Sequence, residues 1–378
     1  MIDMAADAVH DAGVTDPSSR TIAEQIHGSA RGEAEVPLSI LDLAPIGVGQ
    51  TPGEALATTT GLAQRAEACG YHRFWVAEHH GLPGVASSAP AVLLAHLGAA
   101  TRTIRLGSGG VMLPSHAPLV VAEQFGMLHA LHPGRIDLGI GRTQTNPATT
   151  AALGRSDISP DVFPRRVTEL ADFLDGTFPP EHQYAAVGAV PGRSVAPESG
   201  RPPIWLLGSS GLSAQLAAFL GLPFAFAHHF SSAHTVPALE LYRELFRPSA
   251  HLARPYALIS VSAIAADTTD EAYRLSGSAA LLMLRLRRGI TGPVPTPEEA
   301  AEYPYSPEER EIVDPARSTM VLGDPAKVRK ELAELRARTG ADELMLTGMV
   351  YDREARYRSY ELIAREHGMV TGSEVLTR

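Results

Sequence analysis

From Leu38 onward, short apolar runs alternate with longer stretches of helical spacing. Leu38–Leu43, Arg73–Ala77, Thr103–Met112, Arg135–Gly141, Pro203–Gly208, Phe224–Ala227, Ala257–Ala265 and Glu343–Thr347 read as strands. Runs that are continuously apolar imply burial on both faces, as in parallel sheets covered by helical crossovers. Glu54–Cys69, Ser88–Ala100, Pro118–Leu131, Phe163–Asp175, Leu212–Leu220, Val236–Phe246, Thr269–Arg288, Pro325–Thr339 and Arg353–Glu366 carry the helical pattern between and after them. Gly70 supplies a left-handed stop after Cys69, and Ser87 and Ser88 stand as candidate caps. Eight strands, each followed by at least one helix, predict a (β/α)8 barrel. The alternative, a doubly wound open sheet, would place a glycine-rich turn after the first strand, and Ala44-Pro45-Ile46-Gly47 is a poor match.

Two insertions break the rhythm. Gly176–Arg201 follows the fourth helix, and the Pro- and Glu-rich Gly289–Ser318 follows strand seven and its helix. Loops of that length are usually lids or binding loops. Residues 1–36 lack periodicity and read as a flexible or loosely docked extension, which leaves 37–370 as one barrel domain. Composition then narrows the partners. The chain of 378 residues is 44% hydrophobic, ample for a large core, and its net charge is −10. That balance repels phosphodiester backbones and anionic lipid, so neither a nucleic acid nor a membrane is expected. A single cysteine, Cys69, provides neither an internal disulfide nor a zinc-thiolate site. With no apolar run of ~18 residues and no signal-peptide pattern, the expected location is cytoplasmic.

In a barrel, chemistry collects at the carboxyl ends of the strands. There the chain places Glu78-His79-His80, Gly107-Ser108-Gly109-Gly110, Pro114-Ser115-His116, Gly141-Arg142, Gly208-Ser209-Ser210-Gly211 and His228-His229. The Gly208–Gly211 turn opens a helix, so its N–H groups can hold a phosphate, and Arg142 on the preceding strand can add a forked contact. An ordinary capped helix with a surface arginine is the competing explanation. Gly107–Gly110 is not followed by a helix, which removes a dinucleotide fingerprint; its glycines either expose backbone to a flat ring or mark a strand bulge. Adjacent strand residues point to opposite sides, so of His79 and His80 one faces the site and the other is structural. For His228, His229 and His234 the ordinary outcome is a satisfied core or loop histidine. No metal site is expected, because the first strand lacks the His-x-His of barrel metallohydrolases.

WVAEHH at 75–80, IRLGSGGVMLPSHAPLVVAEQF at 104–125, GRIDLGIGRT at 134–143 and IWLLGSSG at 204–211 resemble the bacterial luciferase-like flavin-dependent monooxygenase superfamily, over about Leu38 to Ala364. The resemblance implies a (β/α)8 barrel that binds FMN, as FMNH2, and uses O2 to oxygenate a hydrophobic small molecule, with several relatives in antibiotic and polyketide biosynthesis. It implies a catalytic role for His79 and a non-prolyl cis peptide at Gly109-Gly110, beside Ser108, lying against the flavin ring. Arg142 and Ser209, with Gly208 and Ser210 in the same turn, correspond to phosphate binding, and Glu123 to an acidic cofactor-side position. The luciferase thiol position is Gly141 here, which argues against light emission. Glu78-His79 stands where the F420-dependent branch usually has Asp-His, which tilts the cofactor towards FMN. No NAD(P)H-binding segment is evident, so a separate flavin reductase is implied, and a homodimer by analogy. An F420-dependent hydride-transfer enzyme and a non-catalytic flavin-binding protein are the alternatives.

Overall fold

The computed structural model describes residues 21–27, 36–142, 147–153, 162–190 and 200–369. Its strands are β1 (Leu38–Asp42), β2 (Arg73–Val76), β3 (Arg105–Ser108), β4 (Val111–Met112), β5 (Ile136–Gly141), β6 (Ile204–Gly208), β7 (Phe224–Phe226), β8 (Ala257–Ala265), β9 (Val321–Gly323) and β10 (Glu343–Thr347). Its helices are α1 (Ile22–His27), α2 (Pro52–Ala68), α3 (Pro90–Ala100), α4 (Pro118–Leu131), α5 (Pro147–Ala152), α6 (Val162–Asp175), α7 (Gly211–Phe219), α8 (Thr235–Leu245), α9 (Thr269–Arg287), α10 (Pro297–Glu302), α11 (Pro307–Ser318), α12 (Pro325–Thr339) and α13 (Arg353–Glu366). Parallel pairing runs β1-β2-β3-β5-β6-β7-β8-β10, and β10 returns to β1, closing an eight-stranded barrel. The predicted (β/α)8 architecture is the one observed. β9 was not anticipated; it is a short addition beside the far end of β8, pairing at Ala263–Ala265.

Local chemistry explains where the helices begin. Thr51, Thr296, Ser306 and Asp324 each accept a hydrogen bond from an N–H of the first turn, and each is followed by proline. Proline suits the first helical position because its missing N–H would have no partner there. This corrects the reading of Gly289–Ser318 as a loop. Its Thr-Pro-Glu-Glu and Ser-Pro-Glu-Glu segments start α10 and α11 rather than break structure. Both pack on α9, where Ala300 and Val313 meet Ala280, Leu281 and Leu284. Ser87 and Ser88 are also corrected as caps, since α3 starts after Ala89 without a side-chain cap.

Two apolar layers separate cleanly. One lies between barrel and helices; the other, inside the barrel, contains Leu41, Trp75, Ala77, Trp205, Ala225, Tyr256, Leu258 and Met345. At the amino end of the barrel the interior becomes ionic. Arg73 reaches Asp137 at 2.9 Å and Glu343 at 2.7 Å, and Arg105 reaches Asp137 at 2.5 Å. Part of the expected loose extension seals this end: Ile26 of α1 is fully buried, and its carbonyl accepts from Arg73 Nη2 at 2.7 Å. Residues 1–20 and 28–35 lie outside the described residues. In the other insertion, Phe178, His182 and Tyr184 cluster with Phe173 of α6, while Ala189 and Val190 pack over Gly126 of α4. That described portion lies against the helical layer.

Candidate active site at the carboxyl end of the barrel

The floor of the mouth is aromatic. Trp75 and Trp205 meet edge to face at 5.3 Å, and the Trp75 indole N–H donates to Asp137 Oδ2 at 3.1 Å, tying the floor to the ionic layer below. Above Trp75 the strand after β3 changes course. Leu106 pairs with Ile136 and Val111 with Ile140, so five residue steps on one side face four on the other. The extra residue falls at Gly109–Gly110, which is joined by a cis peptide bond, and the result is a bulge at the barrel rim. Glycine is required here by space. A Cβ on Gly109 would lie 2.5 Å from Leu41 Cδ1, and one on Gly110 would lie 2.8 Å from the carbonyl oxygen of Gly139. Because that oxygen is backbone and cannot swing aside, Gly110→Ala is expected to cost about 1–3 kcal/mol by overpacking, readable as a lowered denaturation midpoint.

His79 lies beyond β2 on the same alternation as Arg73, Trp75 and Ala77. Its N–H donates to the Ser87 carbonyl at 3.0 Å, while Ser87 Oγ donates to the Ala77 carbonyl at 2.5 Å. The loop is therefore fixed from within. His79 Nδ1 is buried with no hydrogen-bond partner among the described residues. Burial holds this imidazole below its ordinary pKa, against the pull of Glu78 in the other direction. The neighbours on the opposite alternation behave differently: His80 Nε2 lies 2.7 Å from Glu78 Oε1. The two rings thus differ in their surroundings, one with an unpartnered nitrogen and the other held on Glu78.

His229 follows β7. Its Nδ1 lies 2.9 Å from Ser260 Oγ, and burial pushes its pKa down to about 4, with His228 and His79 adding to the shift. The ordinary outcome holds for His228, whose Nδ1 meets Thr235 Oγ1 at 2.7 Å, and for exposed His234, paired with Ser231. His229 is a site candidate that the sequence placed at the mouth but weighed as an ordinary satisfied histidine. Its signal was weak, since a strand-end His-His pair says nothing about which ring turns inward.

Arg142 is exposed immediately after β5, and Gly208 ends β6. Ile140 pairs with Leu206, so Arg142 and Gly208 occupy equivalent positions two residues beyond that pair. Ser210 precedes α7 without capping it through its side chain, and Ser209 is exposed beside it. The helix start and the arginine therefore share one rim.

Two further residues assigned to the cofactor have these surroundings. Ser108 is fully buried on the outward alternation of β3, and its hydroxyl donates to the Gly139 carbonyl at 2.8 Å; it stitches strands together. Glu123 is exposed on α4, because Val121, Ala122 and Phe125 take the inward side of that helix. Cys69 is buried at the end of α2, and burial pushes its thiol up to about 11, in keeping with packing.

The rim is braced by its loops. Ile46 N–H donates to the Gly84 carbonyl at 2.9 Å, Val294 N–H to Ile46 at 2.8 Å, and Val48 N–H to Val294 at 2.9 Å. The start of the second insertion is thereby bound to the loops after β1 and β2. No described helix is long and apolar enough to cross a membrane.

The architecture agrees with its relatives. Residues 36–343 match the family described as luciferase-like monooxygenase. A luciferase-like monooxygenase of Escherichia coli K12 is 47% identical over 329 residues, covering 86% of this chain and 96% of that protein. The N-acetyl-S-alkylcysteine monooxygenase of Bacillus subtilis is 36% identical over 332 residues, 86% of this chain and 97% of that one. The crystal structure of apo-MsnO8 superposes with a TM-score of 0.79 at 36% identity, covering 89% of this chain and 99% of that chain. With the closed barrel, the cis glycine pair and similarity along most of its length, the chain belongs to the luciferase-like monooxygenase family and is a flavin-dependent monooxygenase.

Proposed function

We propose that the flavin is FMN, delivered reduced by a separate reductase, and that the enzyme oxygenates a hydrophobic small molecule. The carrying observation is the bare Gly109–Gly110 backbone between His79 on one side and the Arg142–Gly208 rim on the other. The residues fit the cofactor in two respects: a helix start without a side-chain cap and an unpartnered buried ring nitrogen. Arg142, Gly208, Ser209 and Ser210 would take the phosphate, and Gly109 and Gly110 would lie against the ring. Bound reduced flavin supplies the electrons that activate O2, so that one oxygen atom enters the substrate and the other leaves as water. His79, neutral at neutral pH, would hold or move the accompanying proton at Nδ1. The braced segment around Val294 would limit water at the mouth.

The B. subtilis relative's name makes N-acetyl-S-alkylcysteines a reasonable first probe class, beside polyketide-like aromatics from secondary metabolism. The test measures O2 uptake with FMNH2 and this panel; probe-stimulated uptake with an oxygenated product supports the proposal. Hydride transfer from reduced F420 without O2 would replace it. Arg142→Ala should weaken FMN binding about 10–100-fold, the worth of a charge-assisted phosphate contact, and leave riboflavin binding nearly unchanged. Equal losses for both flavins would remove the phosphate assignment. A homodimer is proposed through α3 and α4, which leave Val92, Val120, Met127 and Leu131 exposed at 72, 44, 57 and 60%; sedimentation of Met127→Glu against the native protein tests it.

A further inference from the structure

Glu78 accepts hydrogen bonds from three separate places. Its carboxylate is almost completely buried. His80 Nε2–H and His116 Nε2–H both donate to Oε1 at 2.7 Å, and the Met112 N–H donates to Oε2 at 3.1 Å. Burial alone would raise its pKa, but the bonds from His116 and His80 and from Met112 N–H bring it below the ordinary carboxylate value. Glu78, His80 and His116 also have the composition of a metal-ligand set. Their spacing favours protons, because ligands of one tetrahedral zinc stand about 3.3 Å apart, given metal–nitrogen bonds of about 2.0–2.1 Å. Contacts of 2.7 Å to a carboxylate oxygen are charge-assisted hydrogen bonds.

The clamp joins the two parts of the mouth that must keep a fixed separation. His79 lies between Glu78 and His80, so both flanking residues are pinned by the same carboxylate. Met112 is two residues beyond the cis Gly109–Gly110 bond, in the strand that continues the bare backbone. His116 extends the hold to the turn after Leu113–Ser115. We propose that Glu78 is a positioning residue that sets His79 against the flavin-facing glycine backbone through this three-donor clamp. The inference rests on the flavin reading given above. It assigns Glu78 no proton transfer of its own; its effect is on the efficiency with which oxygen is retained.

Glu78→Gln preserves shape and can still accept from imidazole, but it removes the charge and turns an NH2 group towards the Met112 N–H. His116→Ala, at a partly exposed residue, removes one arm alone. Both variants are compared with native protein for FMN affinity by flavin fluorescence, for reoxidation of bound FMNH2 in air, and for histidine tautomers by long-range nitrogen-15 NMR. The expected result is reoxidation with H2O2 release accelerated about tenfold, as small misplacements of reacting groups produce, with FMN affinity within about twofold. NMR should show Nε2–H tautomers for His80 and His116 in the native protein, and His80 should keep its own in His116→Ala, where the Glu78 carboxylate still accepts. Unchanged reoxidation in folded variants, or loss of FMN binding instead, would overturn the proposal. So would one equivalent of Zn2+ bound tightly by the native protein and lost in His116→Ala. A native protein that binds no FMN would defeat the flavin reading itself, before any variant is compared.

Discussion

Asp137→Asn should destabilise the protein by about 3–5 kcal/mol, the range for removing one partner of a buried ion pair. Asp137 lies wholly inside the barrel and binds Arg73 and Arg105 together. The other contacts of Arg105 are the neutral carbonyls of Gly134 and Ile136, so the substitution leaves that guanidinium buried without its counter-charge. Arg73 keeps Glu343 and loses less. The amide also leaves a single oxygen to serve the Trp75 indole N–H and the arginines together, which should loosen the floor of the mouth. Burial raises the pKa of both Asp137 and Glu343, but their arginines outweigh it and hold both below the usual carboxylate range. Depressed carboxyls stabilise the fold above their unfolded pKa of about 4, and that contribution is lost as pH falls through the lower folded values. The gap between native and Asp137→Asn midpoints in urea should therefore be full at pH 7 and narrow in acid. A gap under about 1 kcal/mol at pH 7 would show that the network is better solvated than its burial indicates.

These charges show why the barrel was legible and its network was not. Arg73, Arg105, Asp137 and Glu343 each stand near the start of a strand whose following residues are mostly apolar. The apolar runs locate the strands locally. The pairing of charges depends on barrel closure, which brings Arg73 to Glu343 across 270 positions. The same limit applies at the rim. Glu78 and His116 are 38 residues apart and meet because β2 and β3 are neighbours. The Gly109–Gly110 pair was readable, since a barrel strand carries consecutive glycines only where backbone must lie close to something. Ser108 and Glu123 stand on motif segments, where the Ser108 hydroxyl donates to the Gly139 carbonyl and Glu123 takes the exposed side of α4, surroundings that the motif alone does not disclose. Thr296-Pro-Glu-Glu and Ser306-Pro-Glu-Glu misled in the opposite sense, because proline marks a helix start as readily as a break.

His79→Ala should lower oxygenated product about 10²–10⁴-fold, the usual contribution of a positioned acid–base group, while FMN affinity changes by less than about threefold because the phosphate assignment lies across the mouth at Arg142. Oxygen consumption should continue, diverted to H2O2, so that the ratio of peroxide to product carries the result. The imidazole is anchored through its backbone to Ser87, and its Nδ1 has no partner among the described residues; truncation removes the ring without breaking a hydrogen bond of its side chain. The pH profile gives a second reading. Burial depresses the pKa of His79, so the neutral ring persists below the ordinary imidazole value of about 6.5, and activity that needs it should fall only under that value. Two nearby groups titrate in acid as well: His229, at about 4, and the Glu78 carboxyl, below its ordinary value. Glu78→Gln retains the imidazole of His79 and should keep its acid limb, whereas His79→Ala should lose it. Product formation by His79→Ala within threefold of native, with the limb intact, would move the proton-handling role to His229 and its Ser260 partner, and His229→Ala would then carry the large effect.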